Sequence, residues 1–215
     1  PALVLDDAGG RELARGKRLH EVQSAMTAAI DQTHLTRSET LMGTNIELVL
    51  MAAPSNHAQA ALDRAITEIA RVESVFSTWR EDSQLSRLNE HAGVDVALPR
   101  EVLELLGQAK QLCELTDGKF DVTFKGAEKV WSFRDGAEPP TAEQAMSAMS
   151  KVDCRKLTVD KRRGTARVGA GMAVGLGGIA KGYDVDRAAS ILEKAGYRDF
   201  IVNAGGDLLA RGRNG

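Results

Sequence analysis

Val174-Gly175-Leu176-Gly177-Gly178-Ile179-Ala180-Lys181-Gly182 is the stretch on which the reading of this chain turns. It follows a strand-like segment and opens a helical one. Glycines at such a junction let the backbone come close to a ligand and take conformations that a side chain forbids. Amides at a helix start point toward a bound anion, and the helix dipole favours negative charge there. Lys181 adds a full positive charge, so the segment is a candidate phosphate grip. The other reading is a packing turn between strand and helix that needs only small residues. Two standard phosphate motifs bear on it. A P-loop requires Gly-Lys-Ser/Thr, and here Gly182 follows Lys181. The dinucleotide fingerprint Gly-x-Gly-x-x-Gly/Ala is met by Gly175, Gly177 and Ala180. It also requires an acid at the end of the next strand, where this chain has Asn203.

Outward from this segment, a helix is expected over Tyr183–Ala195, stopped by Gly196, then a buried strand at Phe200–Val202 running into Asn203-Ala204-Gly205-Gly206-Asp207. Toward the N-terminus, Leu157–Val159 and Ala166–Val168 read as strands around a solvated tip, Lys161-Arg162-Arg163-Gly164. Thr141 caps a short helix ending at Met149. Pro99 suits the first turn of a helix that buries Val102, Leu105, Leu106, Ala109, Leu112 and Cys113, with Gly118 at a left-handed cap. Leu62, Ala65, Ile66, Ile69, Val72 and Phe76 recur at helical spacing, and Asn45–Met51 reads as a strand. Residues 77–98 read as loop. Residues 1–40 are expected to be an N-terminal extension or linker with a surface helix at Glu12–Ile30, and the folded domain to run over 41–215. Strands and helices alternate irregularly, which predicts an α+β fold of mixed sheets with packed helices.

Apolar residues make up 43% and charged residues 27% of the chain, enough for a sizeable core. Aromatics are only 4%, so that core must be aliphatic. The net charge of −2 counts against a nucleic-acid binder. Cys113 and Cys154 leave one disulfide open, which spacing does not settle; a buried thiol is the plainer reading of Cys113. No stretch approaches the roughly 18 apolar residues of a membrane helix. The first residue is Pro1, and Arg211-Gly212-Arg213-Asn214-Gly215 follow a strand directly, so a piece of a longer protein is expected.

Other segments gain meaning only together. In Gly118-Lys119-Phe120-Asp121-Val122-Thr123, the Asp and Thr suit a ligand contact or a local turn. Trp79 suits stacking on a flat ring or filling the core. Taken in order, the chain holds Met42-Gly43-Thr44, Phe76-Ser77-Thr78-Trp79 with Ser83 and Asn89, then Gly118 to Thr123 and Trp131-Ser132-Phe133. Gly177 to Tyr183 with Asp186, and Asn203 to Asp207, complete the series. This series resembles the ApbE family of FAD:protein FMN transferases, from about Met42 to the last residue.

The resemblance implies FAD as substrate and magnesium as cofactor, with FMN passed to a threonine hydroxyl of a partner flavoprotein. By position, Met42 and Trp79 would flank the flavin or adenine, and Lys119, Phe120 and Asp121 would contact the nucleotide. Lys181 and Arg187 would reach the phosphates. Asn203, Gly205, Gly206 and Asp207 would line the pocket floor. The main-chain oxygen of Asp184 matches a magnesium-contacting position where the family usually has a small residue. The family continues past this point with a His-x-x-Asp-Pro segment and an Ala-Asp-x-x-x-Thr segment whose side chains bind the metal. The chain is therefore expected to lack the catalytic base and to hold part of the magnesium site. The alternatives are a non-catalytic FAD-binding protein, an inactive fragment of the transferase, and a nicotinamide dehydrogenase. A location in the periplasm or on the outer face of the inner membrane, with a lipid anchor on a missing N-terminal segment, is expected from the resemblance alone.

Overall fold

The computed structural model describes residues 34–131 and 138–212. In chain order the elements are β1 (Leu35–Leu41), β2 (Thr44–Leu50), α1 (Asn56–Phe76), α2 (Gln84–Glu90), β3 (Val96–Ala97), α3 (Arg100–Leu115), α4 (Ala142–Met149), β4 (Thr158–Asp160), β5 (Thr165–Arg167), α5 (Gly177–Lys194), β6 (Phe200–Ala204) and β7 (Asp207–Arg211). Short 3-10 turns lie at Val122–Gly126, Glu128–Val130 and Cys154–Lys156. The class is α+β, and both sheets are antiparallel: β1-β2-β6-β7 and β3-β5-β4.

The four-stranded sheet buries one face. Ile46, Leu48 and Leu50 alternate inward along β2, as do Phe200, Val202 and Ala204 along β6, the two-residue period of a half-covered strand. Over that face lie α1 and α5. Small residues, Ala58, Ala61 and Ala65 on α1 and Ala188 and Ala189 on α5, belong to this core and let the helices approach closely. Ser55 caps α1 by accepting a hydrogen bond from the Ala58 N–H. The last turn of α1 leaves this core for a second one, where Val72 and Phe76 join Leu85 and Leu88 of α2, the apolar face of α3 and Ala166 of β5. α1 is therefore common to both cores.

Several expectations change. Among the described residues the first element is β1, inside the stretch read as extension; the expected helix at Glu12–Ile30 lies outside the described residues, as do Ser132 and Phe133. The 77–98 stretch read as loop contains α2 and β3. With only Leu85 and Leu88 buried, α2 is too short to show a period. Leu112, expected inside, is 37% exposed. The helix expected from Tyr183 begins at Gly177, so the glycines form its first turn. Cys113 and Cys154 pair in a disulfide, fastening the end of α3 to the turn at Cys154–Lys156. Among the described residues, no helix is long and apolar enough to cross a membrane.

Candidate functional site

The site lies where the two cores meet. A cavity of about 510 Å³ is lined by Met42 and Gly43 of the β1–β2 turn, Val72, Glu73 and Phe76 at the end of α1, the Ser77–Arg80 loop, and Leu176, Gly177, Ala180, Lys181 and Asp184 at the start of α5. A second cavity of about 370 Å³ is lined by Phe120, Asp121, Lys125, Gly175 and Gly178, among others. Thr78, Trp79 and Gly177 line both. Trp79 is 84% exposed, with the Lys125 ammonium 4.7 Å from its ring centroid. The result is two chambers with a glycine and an aromatic ring at their junction.

The glycines have different reasons. A Cβ on Gly175 would press on the Lys125 side chain, and one on Gly178 on the Phe120 ring; both serve close packing. A Cβ on Gly177 would meet nothing within 4 Å, so that glycine opens onto the cleft. No side chain caps α5, so its first amides keep their donor capacity and the positive end of the helix dipole faces the junction. The segment is held from outside. Asn89 clamps Val174 by donating to its carbonyl (2.9 Å) and accepting from its N–H (2.7 Å). The Gly175 N–H donates to the Val122 carbonyl.

Met42 sits at φ 53° and Gly43 at φ 68°, the left-handed pair that a tight hairpin turn requires. For a methionine that conformation is uncommon. Glu73 supports it, its Oε1 accepting from the Met42 N–H at 2.9 Å.

Beside the cleft, charges are paired. Arg71 bridges Glu68 (2.9 Å) and Glu101 (2.7 Å). Arg187 donates to Glu68 at 2.6 Å, and the Tyr183 hydroxyl to Glu101 at 2.7 Å. Hydrogen bonding from Arg71, opposed by burial and reinforced by Arg187, brings the Glu68 carboxyl down to about 2. Arg71 likewise lowers Glu101. Burial, then Glu101, pushes Tyr183 up to about 12.

Asp184 is the opposite case. It is fully buried, and neither carboxylate oxygen has a hydrogen-bond partner. Burial, followed by the charges of Glu73 and Glu68, pushes it up to about 8. Its surroundings favour gain of positive charge, as a proton or as a cation.

Of the residues expected at the site, Met42, Trp79, Lys181 and Asp184 line the larger chamber. Trp79, Phe120 and Asp121 line the smaller one. The Asp121 carboxylate is engaged within the protein, accepting from the Thr123 N–H and hydroxyl and from the Cys154 N–H. Lys119 is exposed and stands outside both chambers. Arg187 is held by Glu68. Asn203 accepts from the Gly206 N–H, ordering the β6–β7 turn at Gly205–Gly206; Asp207 begins β7. That turn shares the sheet end of Met42–Gly43 without lining either chamber. Sequence reasoning missed Glu73, whose only signal is an acid flanking the apolar stripe of α1, and Lys125, which carries none.

Among the described residues, one group of three metal-type side chains comes together, Cys113, Asp121 and Cys154, but its sulfurs are bonded to each other. A cation in the cleft has Asp184 and Glu73 to meet it.

A model of the ApbE family matches residues 42–215. The FAD:protein FMN transferase of Vibrio cholerae is 31% identical over 192 residues, covering 86% of this chain and 56% of that protein. That of Haemophilus influenzae is 31% identical over 151 residues, covering 66% and 44%. The chain thus spans about half the length of these curated relatives. The crystal structure of the ApbE protein of Thermotoga maritima aligns with a TM-score of 0.76 at 27% identity, covering 84% of this chain and 60% of that one. The flavin transferase ApbE of Vibrio cholerae aligns at 0.72 and 30% identity, covering 84% and 60%.

Proposed function

The chain belongs to the ApbE family, and from that premise we propose that it binds FAD across the two chambers and carries the flavin-binding part of a magnesium-dependent FAD:protein FMN transferase. One observation carries the reading: two neighbouring cavities whose linings share Gly177, Trp79 and Thr78. FAD has the matching form, two ring systems joined by a diphosphate. The diphosphate suits the uncapped start of α5, with Lys181 on the first turns to add charge. Trp79 and Met42 offer faces to a ring in the larger chamber, and Phe120 one in the smaller.

The residues present fit a cation here. The buried, unpartnered oxygens of Asp184 are hard donors, of the kind magnesium takes, one or two carboxylates with substrate phosphates and water completing its shell. By the family resemblance, the Asp184 main-chain oxygen is the contact. When bound, magnesium neutralises charge on the diphosphate oxygens. The chain's own contribution is positioning, the main source of catalysis in phosphoryl transfer. The acceptor is a threonine of a partner flavoprotein: its oxygen bonds to the FMN phosphorus as the anhydride bond breaks and AMP leaves. An extracytoplasmic location, with attachment through a lipid at the N-terminus, belongs to the same proposal; the Cys113–Cys154 disulfide supports an oxidising compartment.

The test has two parts. The folded chain should quench flavin fluorescence on titration with FAD and should prefer FAD to NAD. With magnesium and an acceptor domain, the full-length protein should give a flavin-fluorescent acceptor band on a denaturing gel and release AMP. Absence of FAD binding by the folded chain sinks the reading. Binding without AMP release by the full-length protein reduces it to a flavin carrier.

A further inference from the structure

The loop that walls the smaller chamber is held from behind. Past the end of α3 come two left-handed residues, Asp117 at φ 51° and Gly118 at φ 74°, the first an uncommon conformation for a residue with a side chain. The chain then gives Phe120, Asp121 and Val122 to the chamber. Asp121 lines it, yet its carboxylate is used inside the protein: Oδ1 accepts from the Thr123 N–H and hydroxyl, and Oδ2 from the Cys154 N–H at 2.8 Å. The Thr123 hydroxyl oxygen accepts in turn from the Asp153 N–H, also at 2.8 Å. The loop is therefore pinned to the backbone of residues 153 and 154. The Cys113–Cys154 disulfide, buried at both ends, fixes that backbone to the end of α3. An Asp121 carboxylate oxygen lies within 4.8 Å of each sulfur. On its other side the loop reaches the glycine segment: the Val122 carbonyl accepts from the Gly175 N–H at 2.9 Å, and the Phe120 ring stands against Gly178. A continuous chain of bonds and contacts thus runs from the disulfide to the start of α5.

We propose that the Cys113–Cys154 disulfide is a positioning device for the nucleotide site: the wall of the smaller chamber takes its binding geometry only once this bond has formed. Its formation joins two thiols with loss of two electrons and two protons, which pass to a disulfide donor that becomes a dithiol. Without the bond, Asp153 and Cys154 are free to part from α3. Asp121 and Thr123 then lose a fixed partner, and Phe120 and Val122 loosen with them. Full nucleotide affinity is thereby a property of the oxidised chain, which ties binding to an oxidising compartment. The nucleotide part of this inference rests on the flavin reading, whereas the loop part rests on the bonds alone.

The experiment compares the full chain oxidised, reduced by a dithiol, and carrying Cys113→Ala and Cys154→Ala together, with thiols counted by a chromogenic disulfide and folding checked by circular dichroism. Reduction and the double substitution should each weaken FAD binding about tenfold, the cost of a wall no longer held in its binding shape. Reoxidation should restore affinity only in the unaltered chain. ADP and FMN are then titrated separately. Phe120→Ala in the oxidised chain identifies which of the two uses the smaller chamber; that one should lose affinity on reduction while the other keeps it. Amide hydrogen exchange reads the loop without any nucleotide: Thr123, Cys154 and Gly175 should exchange faster after reduction, and Ile66 and Ile69 of α1 at an unchanged rate. Failure of the oxidised chain to bind FAD sinks the flavin reading, and exchange then decides this one. Unchanged exchange in the loop, unchanged FAD affinity on reduction, equal loss of ADP and FMN, or unfolding of the whole chain on reduction overturns the proposal.

Discussion

Glu68 and Asp184 are carboxylates on two helices packed against each other, and their environments have opposite effects. Glu68 has a guanidinium on each side and is held down to about 2. Asp184 has no partner and is pushed up to about 8. Each helix contributes to both situations: α1 supplies Glu68 and Arg71 to the paired cluster and Glu73 to the cleft, while α5 supplies Arg187 and Asp184. The paired cluster ties α1, α3 and α5 together through Arg71, Glu101 and Tyr183. The cleft leaves the Asp184 carboxyl without a hydrogen-bond partner. Within a few residues along the same helices, complete pairing marks a structural joint and incomplete pairing marks a place prepared for something else.

The comparison can be broken most severely at Arg71. Arg71→Ala leaves Glu68 with Arg187 alone and Glu101 with only the Tyr183 hydroxyl, and should cost about 2 kcal/mol, since Glu101 loses its ion pair and partial exposure softens the loss. Chemical denaturation reads this directly, and FAD affinity measured well below the midpoint should stay near that of the unaltered chain. Acid attacks the same cluster. Glu68 has a lowered value when folded, so its contribution is fully present above its ordinary value near 4.5 and is lost as pH falls from there toward 2. After allowance for solvent screening this is about 1 to 2 kcal/mol. Melts from pH 6 to pH 3 should show the unaltered chain losing more stability than Glu68→Gln.

On the cleft side the pattern should invert. Trp79→Ala removes an exposed ring, so stability should hold while FAD affinity falls about tenfold, the order of a lost aromatic stack of about 1 to 1.5 kcal/mol. The smallest effect is expected at Asp184. Without added cation, Asp184→Asn should change stability by less than about 1 kcal/mol, because the native carboxylate has no bond to lose there. A large loss would mean that Asp184 holds the fold together as Glu68 does, and the contrast would collapse.

The sequence disclosed what repeats locally. The stripes of α1 and, Leu112 apart, of α3, the Thr141 cap, the hairpin tip at Lys161–Gly164 and the stop at Gly196 follow from period and turn chemistry, and all are present. Short α2 has too few apolar positions to show a period. Pairings across the chain were out of reach. Arg187, which had the type and position of a phosphate ligand, is claimed by Glu68 from 119 residues away. Cys113 finds Cys154 only because α3 ends beside the 3-10 turn. Asp184 could be singled out in the sequence only by the family resemblance, and its burial without partners, in a cavity shared with Met42, Val72 and Glu73, depends on segments more than 100 residues away.

The passage of α1 through both cores has a consequence for how the chain folds. Ala58 to Ile69 complete the sheet side, and Val72 and Phe76 complete the other. No cut in this helix leaves two self-sufficient halves, so the two sides gain and lose order as one cooperative unit. The cleft between them is therefore walled by one continuous helix and not by two independent domains.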